Sequence, residues 1–497
     1  MNQGKFHIIP FSLCLTTMSY TVVNAQQNNL FTYLAIASVI QLSVYLLSDL
    51  SYAKTTCSVV LGCAYGDEGK GKITKVLLNP DQFKWSLNAT LREWINQHKT
   101  KVCIRFGGAN NAGHTVYNDK NEKIITHSVP TGIVNGCISI IGKGCLVNPK
   151  ALKEEMEMLR AFDINQPIYV DKNAQVITDE HIAKDSESEN KLESSNKEFT
   201  GTGANGSTKK GVRFCASDKA LRTGKRVHEL EHLFDEVPGF VMVDASVFLK
   251  DLEKENFIKN WCGLNIIMEG AQGYKLDPDT GDYPFVTSTG CNLNQVYTSG
   301  IIPKWVDLED GIWGAQKLVT SYVGSRNFMR PGCPDLVAFQ KFPSCPERGA
   351  TTERWRQIDY PNMKDWVSAI DDNNINNLVV NKCDIINDIY FGRYPEKGTY
   401  EMDNHPEYQF ERKSHGDILT LLIPKSSEKE LKNYPHPHEI RTIPEKVDDV
   451  YKSGDKDDLI AIKFYDNDHY FGFIRDYLHQ NCRTLRNVYF SYSPKKI

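Results

Sequence analysis

The chain has 497 residues, of which 40% are hydrophobic and 24% charged, a composition typical of a soluble enzyme with a large core. Its formal net charge of −4 is nearly balanced, which gives no support for a nucleic-acid-binding surface. The 13 cysteines, an odd number with no C-x-x-C pair and no zinc-ligand spacing, indicate free thiols in a reducing compartment.

The first 55 residues differ from the rest of the chain. Leu30 to Leu47 is almost uncharged and marginally long enough to span a bilayer. Val23-Asn24-Ala25 resembles the cleavage site of a secretory signal, whereas no arginine occurs before Arg92, which argues against an organellar transit peptide. We interpret residues 1–55 as an N-terminal extension, either a membrane or targeting segment or the result of a misplaced start codon. Membrane association is expected only through this segment.

A strand, a glycine-rich turn and a helix are predicted next. The apolar run Cys57–Leu61 leads into Gly66-Asp67-Glu68-Gly69-Lys70-Gly71-Lys72, and Ile73–Leu78 continues as a helix. Such a turn cradles phosphate, because its glycines let the backbone approach closely, its first-turn N–H groups point outward and its lysines add charge. The spacing matches the Walker pattern, but Ile73 replaces the magnesium-binding Ser/Thr. Asp67 lies inside the loop instead, where a carboxylate must bind a cation or take part in chemistry.

A second glycine-rich block follows the apolar run Lys101–Ile104. Arg105–Val116 places two amides, a histidine and a threonine on a turn at a strand end, where ligands gather in α/β sheets. Strands and helices are predicted to alternate, which indicates parallel pairing. The predicted strands are 57–61, 101–105 and 138–141, and the predicted helices are 70–78, 89–97 and 149–161.

Two later segments are polar. Residues 184–200 carry many charges and few apolar anchors, and they are predicted to form a mobile surface loop. Residues 425–446 contain several prolines and histidines and are interpreted as an insertion.

A guanine-binding motif is predicted after the β-type run Leu378–Val380. The motif is Asn381-Lys382-Cys383-Asp384. An aspartate at a strand end can accept hydrogen bonds from both N1–H and the exocyclic N2–H of guanine, whereas adenine offers no such pair of donors on that edge. The stem of Lys382 can cover the base.

These motifs resemble, in the same order, those of the adenylosuccinate synthetase family, which joins IMP and aspartate with GTP. Further segments resemble the family in chain order, namely His127–Ile133, Gly206–Val212, Ser217–Arg222, Glu269–Gly273, Tyr283–Ser288, Gly349–Arg356 and Ser491–Lys495. The resemblance implies a large single-domain α/β fold over residues 56–497, with a mostly parallel central sheet, helices on both faces and a P-loop-like GTP site.

The resemblance also implies a reaction and its catalytic residues. GTP phosphorylates the 6-oxo group of IMP, and the amine of L-aspartate then displaces phosphate. Asp67 would act as the base at N1 of the purine and as a Mg²⁺ ligand, and His114 as the acid. The carbonyl of Gly113 would also bind Mg²⁺. Because GTP and IMP are intracellular, the expected location is the cytoplasm.

The family's substrate contacts carry over to matching positions. The residues implied for GTP are Gly66, Glu68, Gly69, Lys70, Gly71, Lys72, Gly113, Thr115, Lys382, Asp384 and Ser491. Those implied for IMP are Asn111, Thr208, Arg222, Gln272, Thr287 and Arg354, of which Arg222 would reach across a homodimer interface. Those implied for aspartate are Thr351, Thr352, Arg354 and Arg356, whose guanidinium groups can fork carboxylates.

Some departures from the family pattern leave alternatives open. Glu353 stands where the family usually has glycine, beside an anionic substrate. Thr289–Asn294 is closer to divergent relatives that use dGMP or GMP to make 2-aminoadenylosuccinate nucleotides, although the retained Asp67 favours IMP. A non-catalytic guanine-nucleotide-binding protein is the alternative from another class, but it would leave Gln272 and Arg356 without a purpose.

Overall fold

The structure is a computed structural model. It describes residues 53–78, 97–195, 207–324, 328, 347–349, 355–384, 397–402, 405–411, 419–431, 438–441 and 459–492. The predicted apolar segment Leu30–Leu47, and residues 89–96 of the helix predicted at 89–97, lie outside these ranges. No helix within them is long and apolar enough to cross a membrane.

Helices and strands alternate along the first half of the chain. The α-helices are α1 Lys70–Leu78, α2 Pro149–Ala161, α3 Asp179–Ser195, α4 Val212–Leu221, α5 Ala245–Asn260, α6 Met363–Asp372, α7 Glu428–Leu431 and α8 Asn467–Asn481. The first ten strands are β1 Thr56–Gly62, β2 Thr100–Arg105, β3 His114–Tyr117, β4 Lys123–Thr126, β5 Ile138–Ile141, β6 Leu146–Val147, β7 Ile168–Asp171, β8 Gln175–Val176, β9 Phe240–Val243 and β10 Leu264–Glu269. The remaining strands are β11 Ile312–Lys317, β12 Thr320–Tyr322, β13 Gln357–Asp359, β14 Asn377–Asn381, β15 Lys397–Met402, β16 His405–Glu411, β17 Thr420–Pro424, β18 His438–Arg441, β19 Leu459–Phe464 and β20 Asn487–Phe490.

The centre of the fold is a nine-stranded sheet in the order β20-β14-β11-β1-β10-β2-β5-β7-β9. Every pairing in this sheet is parallel. The predicted strands and the predicted helices at 70–78 and 149–161 are confirmed. Smaller sheets lie outside it, among them the antiparallel β17-β19-β18 sheet, which includes part of the segment interpreted as an insertion.

Helices cover both faces of the central sheet, as predicted. Cys57, Val59 and Leu61 of β1 belong to one buried cluster, which includes side chains of α5, α6 and α8. Val60 points to the other face, where it joins a cluster with Ile73 of α1. This alternation along a strand that is buried on both sides explains why β1 is mostly apolar.

The predicted mobile loop at 184–200 is wrong over residues 184–195, which belong to α3. The reason is a buried polar face. The Asp185 carboxylate accepts hydrogen bonds from Gly211 N–H at 2.9 Å and Arg213 Nε at 3.1 Å. Glu189, one turn later, accepts from Ser207 N–H at 2.9 Å. These carboxylates anchor the helix through hydrogen bonds and through ion pairs with Arg213, so it needs few apolar residues.

Parallel pairing brings five loops to one edge of the sheet. The carboxyl ends of the adjacent strands β14, β11, β1, β10 and β2 lie side by side. In open α/β sheets ligands bind at this edge. The glycine-rich turn after β1 and the guanine-type motif after β14 therefore face the same crevice.

Candidate active site

The turn after β1 has the backbone geometry of an anion-binding loop. Gly66 and Gly69 adopt φ values of +86° and +88°, which favour glycine, and Asp67 between them has φ +59°. A Cβ on Gly71 would lie 3.0 Å from the Thr115 carbonyl oxygen and 3.0 Å from the Thr131 Cγ2. Glycine at position 71 thus lets the start of α1 pack closely against β3, which keeps the N-terminus of the helix beside the anion-binding loop.

The charged residues of this loop also hold the loop together. Glu68 is buried, and its Oε1 accepts N–H donors from Ala64 at 3.1 Å and Gly66 at 2.7 Å. Lys70 Nζ lies 2.6 Å from Glu68 Oε2 and donates to the Gln272 carbonyl. Glu68 and Lys70, both predicted to bind GTP, therefore pair with each other in this structure.

Asp67 forms an ion pair at the open side of the loop. Its Oδ2 lies 2.8 Å from Arg356 NH1, and its side chain is 22% exposed. Burial alone would raise the pKa of Asp67, but the Arg356 cation and two neighbouring lysines lower it below its usual value. Asp67 is therefore a carboxylate near neutral pH.

Arg356 is buried and surrounded by acceptors. Its Nε donates to Ser321 Oγ at 2.9 Å, and its NH2 donates to the carbonyl oxygens of Ser321 at 2.8 Å and Tyr65 at 3.1 Å. The predicted aspartate-binding residue therefore fixes the turn after β1 and Asp67 in this structure. Its contact with substrate aspartate stays a prediction.

His114, at the start of β3, lies in a second buried network at the ends of β10 and β2. Its Nδ1 is 2.5 Å from Glu269 Oε1, and Arg105 NH1 lies 2.9 Å from the same Nδ1 and 3.1 Å from Nε2. Arg105 and Glu269 are register partners at the ends of β2 and β10. Burial and the Arg105 cation lower the pKa of His114 to about 4, although Glu269 opposes this. In the neutral ring, Nδ1–H can donate to Glu269, and the Arg105 guanidinium lies over the ring.

The guanine-type motif contacts the phosphate loop directly. Asn381 Nδ2 donates to the Glu68 carbonyl at 2.6 Å. Lys72 Nζ donates to Ser491 Oγ at 2.6 Å, and the Ser491 carbonyl accepts from Cys383 N–H at 3.0 Å. Burial lowers the pKa of Lys72 to about 8. The structure thus brings together residues predicted to bind the phosphates and the base.

The residues predicted to bind IMP lie in several loops. Asn111 is half-buried, and its Oδ1 has no hydrogen-bond partner among the described residues. Gln272 has φ +59°, and its Oε1 accepts from Cys291 Sγ at 3.6 Å. Thr287 and Thr208 are half-buried, and Arg222 is exposed at the end of α4. Thr351, Thr352, Arg354 and Glu353 lie outside the described residues.

A third cluster was not predicted from the sequence. Glu347 is fully buried, and its carboxylate accepts hydrogen bonds from Lys317 Nζ at 2.8 Å and from Lys382 Nζ. The lysine and arginine cations lower the pKa of Glu347 against the effect of burial. Burial lowers the pKa of Lys317 to about 8. This cluster adjoins Asp67 through Arg356.

Comparison with known proteins identifies the family. The sequence model of the adenylosuccinate synthetase family matches residues 59–238 and 240–391. The adenylosuccinate synthetase of Desulforapulum autotrophicum is 31% identical over 363 residues, which are 66% of this chain and 77% of that protein. That of Borrelia duttonii is 29% identical over 445 residues, 82% of this chain and 89% of that protein.

The chain belongs to the adenylosuccinate synthetase family. A solved structure, fully ligated adenylosuccinate synthetase from Plasmodium falciparum, shares its fold with a TM-score of 0.60 at 20% identity, covering 88% of this chain and 98% of that one. The predicted family, fold class and enzyme class are thereby confirmed. Members of the family are GTP-dependent ligases of purine biosynthesis.

Sequence reasoning missed four charged residues of this site, namely Arg105, Glu269, Lys317 and Glu347. The first three share one signal, because each is the last residue of a largely buried strand of the central sheet. A charge at the carboxyl end of a buried parallel strand faces the ligand crevice. Glu347 has no such local signal, since its side-chain partners lie far from it along the chain.

Proposed function

We propose that this chain joins IMP and L-aspartate into adenylosuccinate with GTP, releasing GDP and phosphate through a 6-phosphoryl-IMP intermediate. The observation that carries the proposal is the 2.6 Å bond from Asn381 to the Glu68 carbonyl. This hydrogen bond connects the guanine-type motif to the glycine-rich turn after β1. That turn also contains the carboxylate of Asp67, for which an ordinary Walker loop has no catalytic counterpart. Family membership supports the same reaction.

The first step needs a base and an acid. Asp67 takes the N1 proton of the purine, so that O6 attacks the γ-phosphorus and GDP leaves. Asp67 can accept this proton because it is a carboxylate in the free enzyme. His114 is neutral in its buried network, and an incoming phosphate anion would raise its pKa and favour the protonated ring. The protonated ring would then stabilise charge on the transferring phosphoryl group.

In the second step the aspartate amine attacks C6 and the 6-phosphate leaves with its oxygen. Arg354 and Arg356 are the proposed anchors for the two carboxylates of aspartate. Arg356 is already placed beside Asp67, so an aspartate held by it would lie near the purine that Asp67 deprotonates.

The proposed cofactor is Mg²⁺. Mg²⁺ is commonly bound through one or two carboxylates plus substrate phosphates, and the anionic, partly exposed Asp67 fits this donor set. The Gly113 carbonyl would add a second hard oxygen ligand. When bound, the ion would neutralise charge on the transferring phosphate oxygens.

We also propose a cytoplasmic homodimer. Arg222 is exposed in a left-handed conformation at the end of α4, and the neighbouring Leu221 is 66% exposed. A partner subunit that covers this end would receive Arg222 at its acceptor-nucleotide site.

The test is a substrate matrix on the purified full chain. GTP or ATP is combined with IMP, GMP or dGMP, with and without aspartate, and phosphate release and product mass are measured. We expect phosphate and adenylosuccinate only with GTP, IMP and aspartate together. Turnover with dGMP or GMP, but not with IMP, would show that the acceptor nucleotide is not IMP. Hydrolysis of GTP without purine and aspartate would favour a guanine-nucleotide-binding protein.

A further inference from the structure

Glu347 lies where three parts of the site meet. Its backbone carbonyl accepts the Arg356 N–H at 2.9 Å, and Arg348 pairs with Trp355 in an antiparallel bridge. The Arg348 guanidinium also lies 4.1 Å from the centre of the Trp355 ring. Glu347 and Arg356 therefore flank the segment 350–354, which includes the predicted aspartate-binding residues Thr351, Thr352 and Arg354.

Each oxygen of the Glu347 carboxylate faces a different group of cations. Oε1 accepts from Nζ of Lys382, which belongs to the guanine-type motif. Oε2 accepts from Lys317 Nζ at 2.8 Å and lies 3.7 Å from Arg356 Nε. Lys317 and Asn381 are register partners at the ends of β11 and β14, so the cluster rests on two adjacent strands.

Arg356 extends the cluster to the proposed catalytic base. Its Nε faces Glu347 and Ser321, while its NH1 lies 2.8 Å from Asp67 Oδ2. A planar guanidinium fixed on one edge presents the other edge in a defined direction. The position of Asp67 therefore depends on how Arg356 is held, and Glu347 is one of the groups that hold it.

We propose that Glu347 is a positioning residue that couples guanine recognition to the placement of Asp67. The part of this inference that concerns Asp67 as the catalytic base rests on the proposed function. One buried carboxylate orients both Lys382, whose stem would cover the guanine base, and Arg356, which holds Asp67. We call the contact of Glu347 with Lys382 the guanine arm and its contact with Arg356 the catalytic arm. A buried carboxylate among cations cannot be neutralised without leaving those cations uncompensated, so both arms depend on its charge.

The structure separates the two arms by residue. Lys382→Ala removes the arm toward the base and should raise the KM for GTP with little change in kcat. Arg356→Lys keeps a charge but loses the fork, so it should lower kcat more than it changes the KM for GTP. Glu347→Gln keeps the volume and removes the charge. It should raise the KM for GTP about 10- to 100-fold, the usual worth of a charge-assisted hydrogen bond such as that to Lys382, and it should lower kcat because the ion pair with Arg356 is lost.

Double variants distinguish positioning from a general loss of structure. If Glu347 acts through Lys382, the Glu347→Gln, Lys382→Ala double variant should have the KM for GTP of Lys382→Ala alone. If the fold-increases in KM of the two single variants multiply in the double variant, the proposal is overturned. Glu347→Asp, which keeps the charge on a shorter stem, should recover part of the lost turnover, and failure to exceed Glu347→Gln would also count against it.

A matched control is available at Asp171. This carboxylate is also buried but accepts backbone N–H groups, among them Ala245 at 2.9 Å, at the end of β7. Asp171→Asn should lower the melting temperature and leave both the KM for GTP and kcat unchanged at temperatures where the protein is folded. The same pattern in Glu347→Gln would reduce Glu347 to a structural residue.

The proposed function and this inference can fail separately. If the unaltered chain does not make adenylosuccinate, the proposed function fails, and the dissociation constant of GTP still tests the guanine arm. Glu347→Gln should then weaken GTP binding by no more than Lys382→Ala does, and the double variant should bind GTP as weakly as Lys382→Ala alone. If the unaltered chain is active and Glu347→Gln matches it in both constants, only the inference about Glu347 is overturned.

Discussion

Two buried charge networks border the glycine-rich turn after β1, and they hold the proposed catalytic groups His114 and Asp67 in different ways. In the network of β2 and β10, Glu269 balances Arg105, and the ring of His114 between them is kept neutral. In the network of β11 and β14, three cations, Arg356, Lys317 and Lys382, surround two anions, Asp67 and Glu347. The second network therefore carries excess positive charge.

This difference bears on the direction of proton transfer. The excess positive charge lowers the pKa of Asp67, so the proposed base is ready before substrates bind. The proposed acid has no proton to give until an anion raises the pKa of His114. The phosphate of a bound ligand would thus be needed to protonate His114, whereas the protein alone keeps Asp67 deprotonated.

Asp67→Ala should have the largest effect, because it removes both the proposed base and a proposed Mg²⁺ ligand. Loss of the base alone predicts a fall in kcat on the order of 100- to 10,000-fold, and loss of the metal contact adds to it. Initial rates at several Mg²⁺ concentrations measure the change. Asp119→Ala is a control, because that side chain is 93% exposed on the surface. Equal rates in the two variants would place the base elsewhere.

His114→Asn should come next. We expect kcat to fall on the order of 100- to 10,000-fold, the usual worth of a positioned acid. Nucleotide binding should survive, because Glu269 and Arg105 remain paired without the ring. Single-turnover phosphate release and equilibrium GTP binding separate the two effects. Turnover equal to that of the unaltered enzyme would remove His114 from the mechanism.

Asp384→Asn should have an intermediate effect on nucleotide choice. If Asp384 accepts N1–H and N2–H of guanine, the amide replaces part of that edge with a donor. GTP binding should weaken by roughly 1.5–3 kcal/mol, about one to two decades in affinity, and XTP should be preferred because its 2-oxo group is an acceptor. Competition binding measures this preference. Unchanged discrimination between GTP and XTP would mean that the base is recognised by other residues.

The smallest expected effect is on the pH dependence of stability. The pKa of His114 falls from 6.5 to about 4 on folding, so the unfolded state binds more protons between those values. Stability should therefore rise with pH across that window and decline as pH falls toward 4. His114→Asn should reduce the slope by up to about 1.4 kcal/mol per pH unit, as measured by denaturant unfolding. An unchanged slope would mean that His114 is not held neutral.

The sequence predicts local structure at this site better than it predicts long-range pairing. The strand–turn–helix around Asp67 follows from apolar runs and glycine spacing, and the structure confirms β1 and α1. The pairing of Arg356 with Asp67 could not be read from spacing, because it joins residues 289 positions apart. The helix at 179–195 was missed because its anchors, such as Asp185, are charged and resemble a solvated loop.

The most direct measurement follows the oxygen at position 6 of the purine. The proposed mechanism forms a bond from this oxygen to the γ-phosphorus of GTP, and the oxygen then leaves with phosphate when aspartate attacks C6. IMP that carries an oxygen isotope label at O6 should therefore give labelled inorganic phosphate in a one-to-one ratio with adenylosuccinate, as measured by mass spectrometry. Unlabelled phosphate would contradict the account, because it would mean that water and not the purine receives the phosphoryl group.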